Sequence, residues 1–320
     1  MEKEKRNGIK MLFMIPLRRC GSHAIRLRLN MSEEFYSPYP LHIIDILNKV
    51  NIKDEELLDD NKYKKLIELI LGLEEKLFFR WFKEGDISVD KVFEAIKNDI
   101  RNIHKICEEM LLQSASLYKP KAKIIMDKSL DCINYAEDLI NIYGEDAKFL
   151  NIVRDPRAQI NSMNQAIIHD FSTISNTLTW LNAYNKANYL INKFPNNVLT
   201  ITFEEFLMNQ EETLKKICKF NGIEFKIEMM EIKKSDEAKI IHSKSALWKS
   251  NYSDPILENI DKFKKSLSYY DLEIIETLTE EFMNKYNYKR LTNENIKLTE
   301  DEINKAKDDS LKNKEKLGIC

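Results

Sequence analysis

An α/β fold, a parallel sheet flanked by helices, is predicted by three observations. Apolar runs of strand length occur at residues 11–17, 121–129, 147–153 and 198–203, and each passes through a short turn into apolar residues at helical spacing. Strands separated by helices in this way pair in parallel, with right-handed crossovers. The 320 residues are 43% apolar and 32% charged, and their seven Gly and seven Pro are scattered without a linker-like cluster, which favours one large domain.

The same composition narrows the function classes. A net charge of −2 gives no basic excess of the kind that marks a nucleic-acid binder. Cys20, Cys107, Cys132, Cys218 and Cys320 are widely spaced and never form C-x-x-C, so neither a disulfide framework nor a zinc site is indicated, and a reducing cytoplasm fits. The charged amino end precedes an apolar run of seven residues, too short for a membrane span and without a small-residue cleavage site. It reads as the first buried strand, and no later run approaches membrane length.

Residues 8–29 read as strand, loop and helix, with Pro16 bounding the strand. Backbone N–H groups of Cys20, Gly21 and Ser22 and of the first helical turn would converge on one spot, where the helix dipole favours negative charge. Arg18 and Arg19 stand at its lip. A tight turn with two solvated arginines would give the same pattern. No Gly-Lys-Ser/Thr occurs in the chain, so the anion is not expected to be an ordinary nucleoside triphosphate held by a Walker-type loop.

Pro38 and Pro40 then force extended chain, so residues 32–45 read as an aromatic loop whose tyrosines wall a pocket or pack on the core. Residues 41–118 read as a helical insertion, with apolar residues at three-and-four spacing such as Leu66, Ile67, Ile70 and Leu73; His104 lies on such a face as a packed side chain. The strand at 121–129 ends in Asp127, Lys128 and Ser129, at the carboxyl edge where open α/β sheets bind ligands, and a helix over 130–143 follows with Gly144 as its stop. After the strand at 147–153, Asp155 is a natural N-cap and Pro156 a first-turn residue, so Arg154 and Ser162 frame a helix start. A guanidinium and a hydroxyl so placed can hold one phosphate, although exposed arginines at a plain helix start would look alike.

These motifs together resemble the sulfotransferases that use 3′-phosphoadenosine 5′-phosphosulfate. Arg19-Cys20-Gly21-Ser22-His23 is similar to their K/R-S-G-T-T phosphosulfate loop, with Arg19 and Gly21 identical and Ser22 conservative. Asp127-Lys128-Ser129 matches their D/E-K-S/T strand end, with Leu130 where Pro or His would stand. Arg154-Asp155-Pro156-Arg157 with Ser162 reproduces R-D/N-P-R/K followed by Ser eight residues after the first Arg. The strand at 198–203 and Phe220-Asn221-Gly222-Ile223 match V-L-x-V-x-Y-E-D-L and F-L-G-I, and 267–286 resembles the family's final helix.

The resemblance implies a P-loop-like fold over 1–290 with the insertion at 41–118, followed by a charged, helical extension over 291–320. It implies sulfuryl transfer by in-line displacement to a hydroxyl or amine of a small molecule, with 3′-phosphoadenosine 5′-phosphate as product, no metal, no nucleic acid and no membrane; homo-oligomerisation stays open. It gives Arg18, Arg19, Cys20, Gly21, Ser22 and His23 to the 5′-phosphosulfate, with Arg19 neutralising charge, Arg154 and Ser162 to the 3′-phosphate, and Lys128 to the sulfuryl group or acceptor. Residues 242–249 resemble a loop that closes over the nucleotide without its Gly, so Lys244 or Lys249 would contact the terminal phosphate. For the general base, Ser37-Pro38-Tyr39-Pro40-Leu41-His42 resembles the S-P-x-E-L-H loop of polyketide sulfotransferase domains with Pro40 for the Glu, which makes His42 the candidate and Asp127 its understudy. A P-loop-like nucleotide kinase and a catalytically silent nucleotide-binding protein are the competing readings.

Overall fold

β1 (Lys10–Ile15) takes the centre of the sheet because both of its faces are apolar. The computed structural model, which describes residues 8–40, 42, 52, 54–77, 79–166, 168–244 and 252–318, buries Met11, Phe13 and Ile15 in one core and Leu12 and Met14 in another. That period-2 split is what a strand covered on both sides requires. After α1 (Ser22–Leu29), β2 (Phe35–Tyr36), β3 (Ile124–Asp127), β4 (Ala147–Val153) and β5 (Val198–Thr202) complete an all-parallel sheet in the order β2-β3-β1-β4-β5.

The two cores define the layers. Against Phe13 and Ile15 pack α2 (Asp60–Glu75), α3 (Val89–Ile96) and α4 (Ile103–Tyr118), so the described part of the expected helical insertion forms one outer layer, joined by α5 (Ala136–Tyr143). Against Leu12 and Met14 pack α1 and, beyond β5, α8 (Phe203–Met208) and α9 (Gln210–Asn221), the last closed by Gly222 at φ 71°. Between these, α6 (Pro156–Asn164) and α7 (Thr173–Lys193) share a third core with Val153, in which Trp180 stacks on Tyr184 at 3.9 Å. The chain continues through α10 (Asp236–Lys244), α11 (Glu258–Asp261), α12 (Tyr269–Leu278), α13 (Glu280–Lys285) and α14 (Glu300–Lys316).

Three local expectations are corrected. The aromatic loop contains β2, because Phe35 and Tyr36 are buried and pair with Ile124 and Ile125 at the sheet edge. The helix expected over 130–143 starts as a 3₁₀ turn, Asp131–Tyr135, since Leu130 takes φ 68° and Cys132 Sγ donates to the Met14 carbonyl at 3.1 Å, drawing the turn onto β1. The final helix is two, broken at Thr279, whose hydroxyl bonds the Ile275 carbonyl at 2.7 Å. His104 packs on Tyr135 with ring centroids 5.0 Å apart. No helix among the described residues is long and apolar enough to cross a membrane.

Of the expected extension, the described residues 291–318 fold back on the body. α14 begins with a capping box between Thr299 and Glu302, and Ser310 Oγ and Lys314 Nζ donate to Asp170 Oδ1 at 2.8 and 2.6 Å. Those bonds hold the short connection between α6 and α7, whose Ile168 borders the cleft described next.

Candidate active site

Register decides which residues meet. Phe13 of β1 lies opposite both Asp127 of β3 and Phe149 of β4, so the three strands end side by side and the residues that follow them converge on one edge. Arg18 to Ala24, Lys128 and Arg154 all border a single cleft of about 570 Å³ there, apart from Cys20. Cys20 is fully buried, and burial raises its thiol pKa. This is the carboxyl edge at which open α/β sheets bind ligands.

The first loop is held by the second motif. Gln159 Nε2 donates to the Arg18 carbonyl at 2.9 Å, and Gln159 Oε1 accepts from both Trp180 Nε1 and Tyr184 Oη, so the α7 aromatics brace the loop through one side chain. Arg154 donates to the Arg19 carbonyl at 2.8 Å, and Arg19 Nε donates to Ser162 Oγ at 3.0 Å. Arg19 is itself in the left-handed region, φ 72°, a conformation that costs a non-glycine residue about 1–2 kcal/mol and marks a loop shaped by its surroundings. Gly21, at φ 91°, has a different reason: a Cβ there would stand 2.2 Å from the Phe203 ring. As N-cap it also brings no side chain to the first turn of α1, where Ser22 and His23 border the cleft and the Ala24 N–H already donates to the Gly21 carbonyl at 3.0 Å.

The electrostatics are one-sided. Arg18, Arg19, Arg28, Lys128, Arg154 and Lys262 border the cleft, and no Asp or Glu is among its described lining residues. Burial, then Arg154, lowers the Arg19 pKa; burial also lowers that of Arg154, which lies over the Phe203 ring at 4.7 Å. Lys128, 4% exposed, is pushed down to about 7, first by burial and then by Arg26 and the charges around it. His23 is lowered well below its ordinary value, mainly by burial, and its ring stacks on Tyr39. Such crowding of buried cations is relieved by an anion, and arranged peptide N–H groups add to the attraction.

His42 borders the same cleft, with Nδ1 3.0 Å from Asp131 Oδ2. Asp127 does not border it. Its Oδ1 accepts from the Ser129 N–H and hydroxyl at 2.8 and 2.6 Å, and it faces a small neighbouring pocket with Trp81 and Cys107. Lys249 lies outside the described residues, and Lys244 ends α10 with a side chain that is likewise outside them. Sequence reasoning missed Arg28, Phe203, Phe206, Asn161 and Asn259 on the cleft wall, as well as Asp131 behind His42. Only Asp131 had a visible signal, a carboxylate four positions past Asp127.

Arg157 proves to be part of the scaffold. Its guanidinium holds Asp155 at 2.7 Å and Glu276 at 2.6 Å, all three buried, and donates to the Lys289 carbonyl. The second arginine of the R-D-P-R motif thus ties the start of α6 to α12.

A parallel α/β sheet whose carboxyl edge carries a cationic cleft, with no carboxylate among its described lining residues, is an arrangement suited to an anion. A sequence model described as the sulfotransferase family matches residues 12–226, more than half of the chain, and the chain belongs to that family. Among solved structures it is similar to the sulfotransferase domain from the curacin biosynthetic pathway, with a TM-score of 0.58 and 14% identity over 88% of this chain and 98% of that one. It is also similar to the sulfotransferase domain of the Synechococcus PCC 7002 olefin synthase, with a TM-score of 0.50 and 18% identity over 86% and 94%. At these identities the likeness is one of fold. No curated protein matches the chain.

Proposed function

We propose that the protein moves a sulfuryl group from 3′-phosphoadenosine 5′-phosphosulfate to a hydroxyl or amine of a small molecule. The observation that carries this reading is the cleft itself: six cationic side chains and no described carboxylate, in a chain of net charge −2. A ligand with phosphates at two ends matches such a lining better than a Mg²⁺ nucleotide, whose metal calls for a carboxylate beside any hydroxyl. That counts against the kinase reading.

In this reading Ser22 and His23, in the first turn of α1, hold the 5′-phosphosulfate, and Arg154 and Ser162 hold the 3′-phosphate. Phe203, Phe206 and Ile256 offer an apolar wall for the purine. The bound donor supplies an activated sulfuryl group. The acceptor atom attacks sulfur as the sulfur–oxygen bond to the 5′-phosphate breaks, and the acceptor's proton passes to a base. Lys128 and Arg19 counter the charge that grows on the leaving phosphate. Lys128, whose pKa burial pushes down to about 7, would be held charged by the anionic donor. His42 takes the proton.

Two measurements test the assignment. 3′-Phosphoadenosine 5′-phosphate is expected to raise the melting temperature well above the effect of adenosine 5′-monophosphate, and Arg154→Ala to weaken its binding by roughly tenfold or more, since hydrogen bonds to charged groups are worth about 1.5–3 kcal/mol. Equal stabilisation by both nucleotides removes the 3′-phosphate site, and a preference for ATP with Mg²⁺ restores the kinase. Arg19→Ala is expected to lower kcat by about 10²–10³ with a smaller change in donor affinity, as for other groups that act on transition-state charge. A loss confined to affinity would make Arg19 a docking residue, the role its bond to Ser162 favours.

A further inference from the structure

We propose that Asp131 is a positioning residue that fixes the tautomer and direction of His42, so that Nδ1–H is turned away into the protein and Nε2 is the basic atom offered to the acceptor. The inference rests on the reading of His42 as the general base. Its grounds are geometric. His42 Nδ1 is 3.0 Å from Asp131 Oδ2, and the same oxygen accepts from Arg18 at 2.8 Å. Arg18 is also 3.2 Å from Nδ1.

A guanidinium can only donate, and a carboxylate that receives it can only accept. If Nδ1 were bare it could accept from Arg18 at 3.2 Å, but its lone pair would also face the nearer Asp131 oxygen across 3.0 Å, a repulsive contact. With the proton on Nδ1, that contact becomes a charge-assisted hydrogen bond, and Arg18 keeps its own bond to the same carboxylate. The neutral imidazole then has Nε2 as its acceptor nitrogen, the form a base needs.

Asp131 is well placed to impose this. It opens the 3₁₀ turn between Leu130 and Cys132, both fully buried, and Cys132 anchors the turn to the backbone of β1. Its position is therefore set by the sheet, whereas His42 sits on a connection at φ 53°. The charges facing His42 divide in two. Arg18 and Lys128 oppose its protonation and Asp131 favours it, with burial the largest influence and the net shift downward; Asp127 and His23 are also within electrostatic reach.

The test is Asp131→Asn, measured at saturating donor. The expected result is a fall in kcat of about 10–100-fold with nucleotide affinity unchanged. The acid limb of the kcat profile should also move to lower pH, because the group that favours the imidazolium is gone; a merely structural residue would not move that limb. In parallel, ¹H–¹⁵N spectra of histidine-labelled native protein, with the His42 signal identified by its loss in His42→Ala, should show the Nδ1–H tautomer. Wild-type kcat with an unmoved acid limb in Asp131→Asn overturns the proposal, as does an Nε2–H tautomer of His42. Should the variant fail to fold, the spectrum of the native protein decides. Full turnover by His42→Ala would instead remove the base reading itself, whereas an inactive His42→Ala beside a wild-type Asp131→Asn sinks only the role of Asp131.

Discussion

His42→Ala is expected to lower kcat by about 10²–10⁴ while leaving nucleotide affinity intact. The imidazole borders the cleft that also holds Lys128, Ser22 and His23. It can therefore take the acceptor's proton only if the reacting centre lies between them. Burial, together with Arg18 and Lys128, outweighs Asp131 and holds the His42 pKa below its ordinary value. The group is then neutral at pH 7. Because the neutral form is the active one, turnover should stay level through neutral pH and fall only as acid protonates the ring, below about 6.5. A variant that keeps near-wild-type turnover, with Asp127→Asn inactive, transfers the role to Asp127, whose carboxylate is raised by burial although Ser129 already occupies one of its oxygens.

Arg157→Ala is expected to cost about 3–5 kcal/mol of stability, measured by denaturant unfolding, because it would remove the buried cation that Asp155 and Glu276 share. Asp155 and Glu276 both lean on this guanidinium, and neither is accessible enough for water to replace it. Arg157→Lys should recover only part of the loss, since an ammonium cannot span Asp155 and Glu276 as the planar fork does. Burial alone would raise the Glu276 pKa, but the hydrogen bonds from Thr292, Leu291 and Arg157 prevail and hold it below its ordinary value. Its contribution to stability is thus present at neutral pH and lost as pH falls through that depressed pKa. If the stability changed by less than about 1 kcal/mol, the three-residue cluster would be a surface-like contact and not the tie between α6 and α12.

Much of the site was legible in the sequence because it sits at strand ends. Arg19 and Gly21 follow the first apolar run, Lys128 the second and Arg154 the third, and a parallel sheet has no way to bury four such strands without bringing their carboxyl ends to one edge. The period-2 alternation of β1 and the N-cap signal of Asp155 were local enough to be read directly. The edge strand β2 was not, since two residues between a turn and two prolines carry no periodicity, and its pairing comes from β3.

What the sequence determined by itself is therefore the class of fold, the order of its strand–helix units and the residues that could meet an anion. The tertiary structure decided how those residues are used. Two arginines of one motif part company, Arg154 toward the cleft and Arg157 into a buried pair with Glu276, more than a hundred positions away in the chain. Gly21 is required by the Phe203 ring, which opens α8 directly after β5, and Asp131 reaches His42 only because a 3₁₀ turn is drawn onto β1. Pattern and spacing are properties of neighbours along the chain, whereas pairing of buried charges and the approach of a ring to a backbone depend on contacts that form only once the sheet has closed its layers.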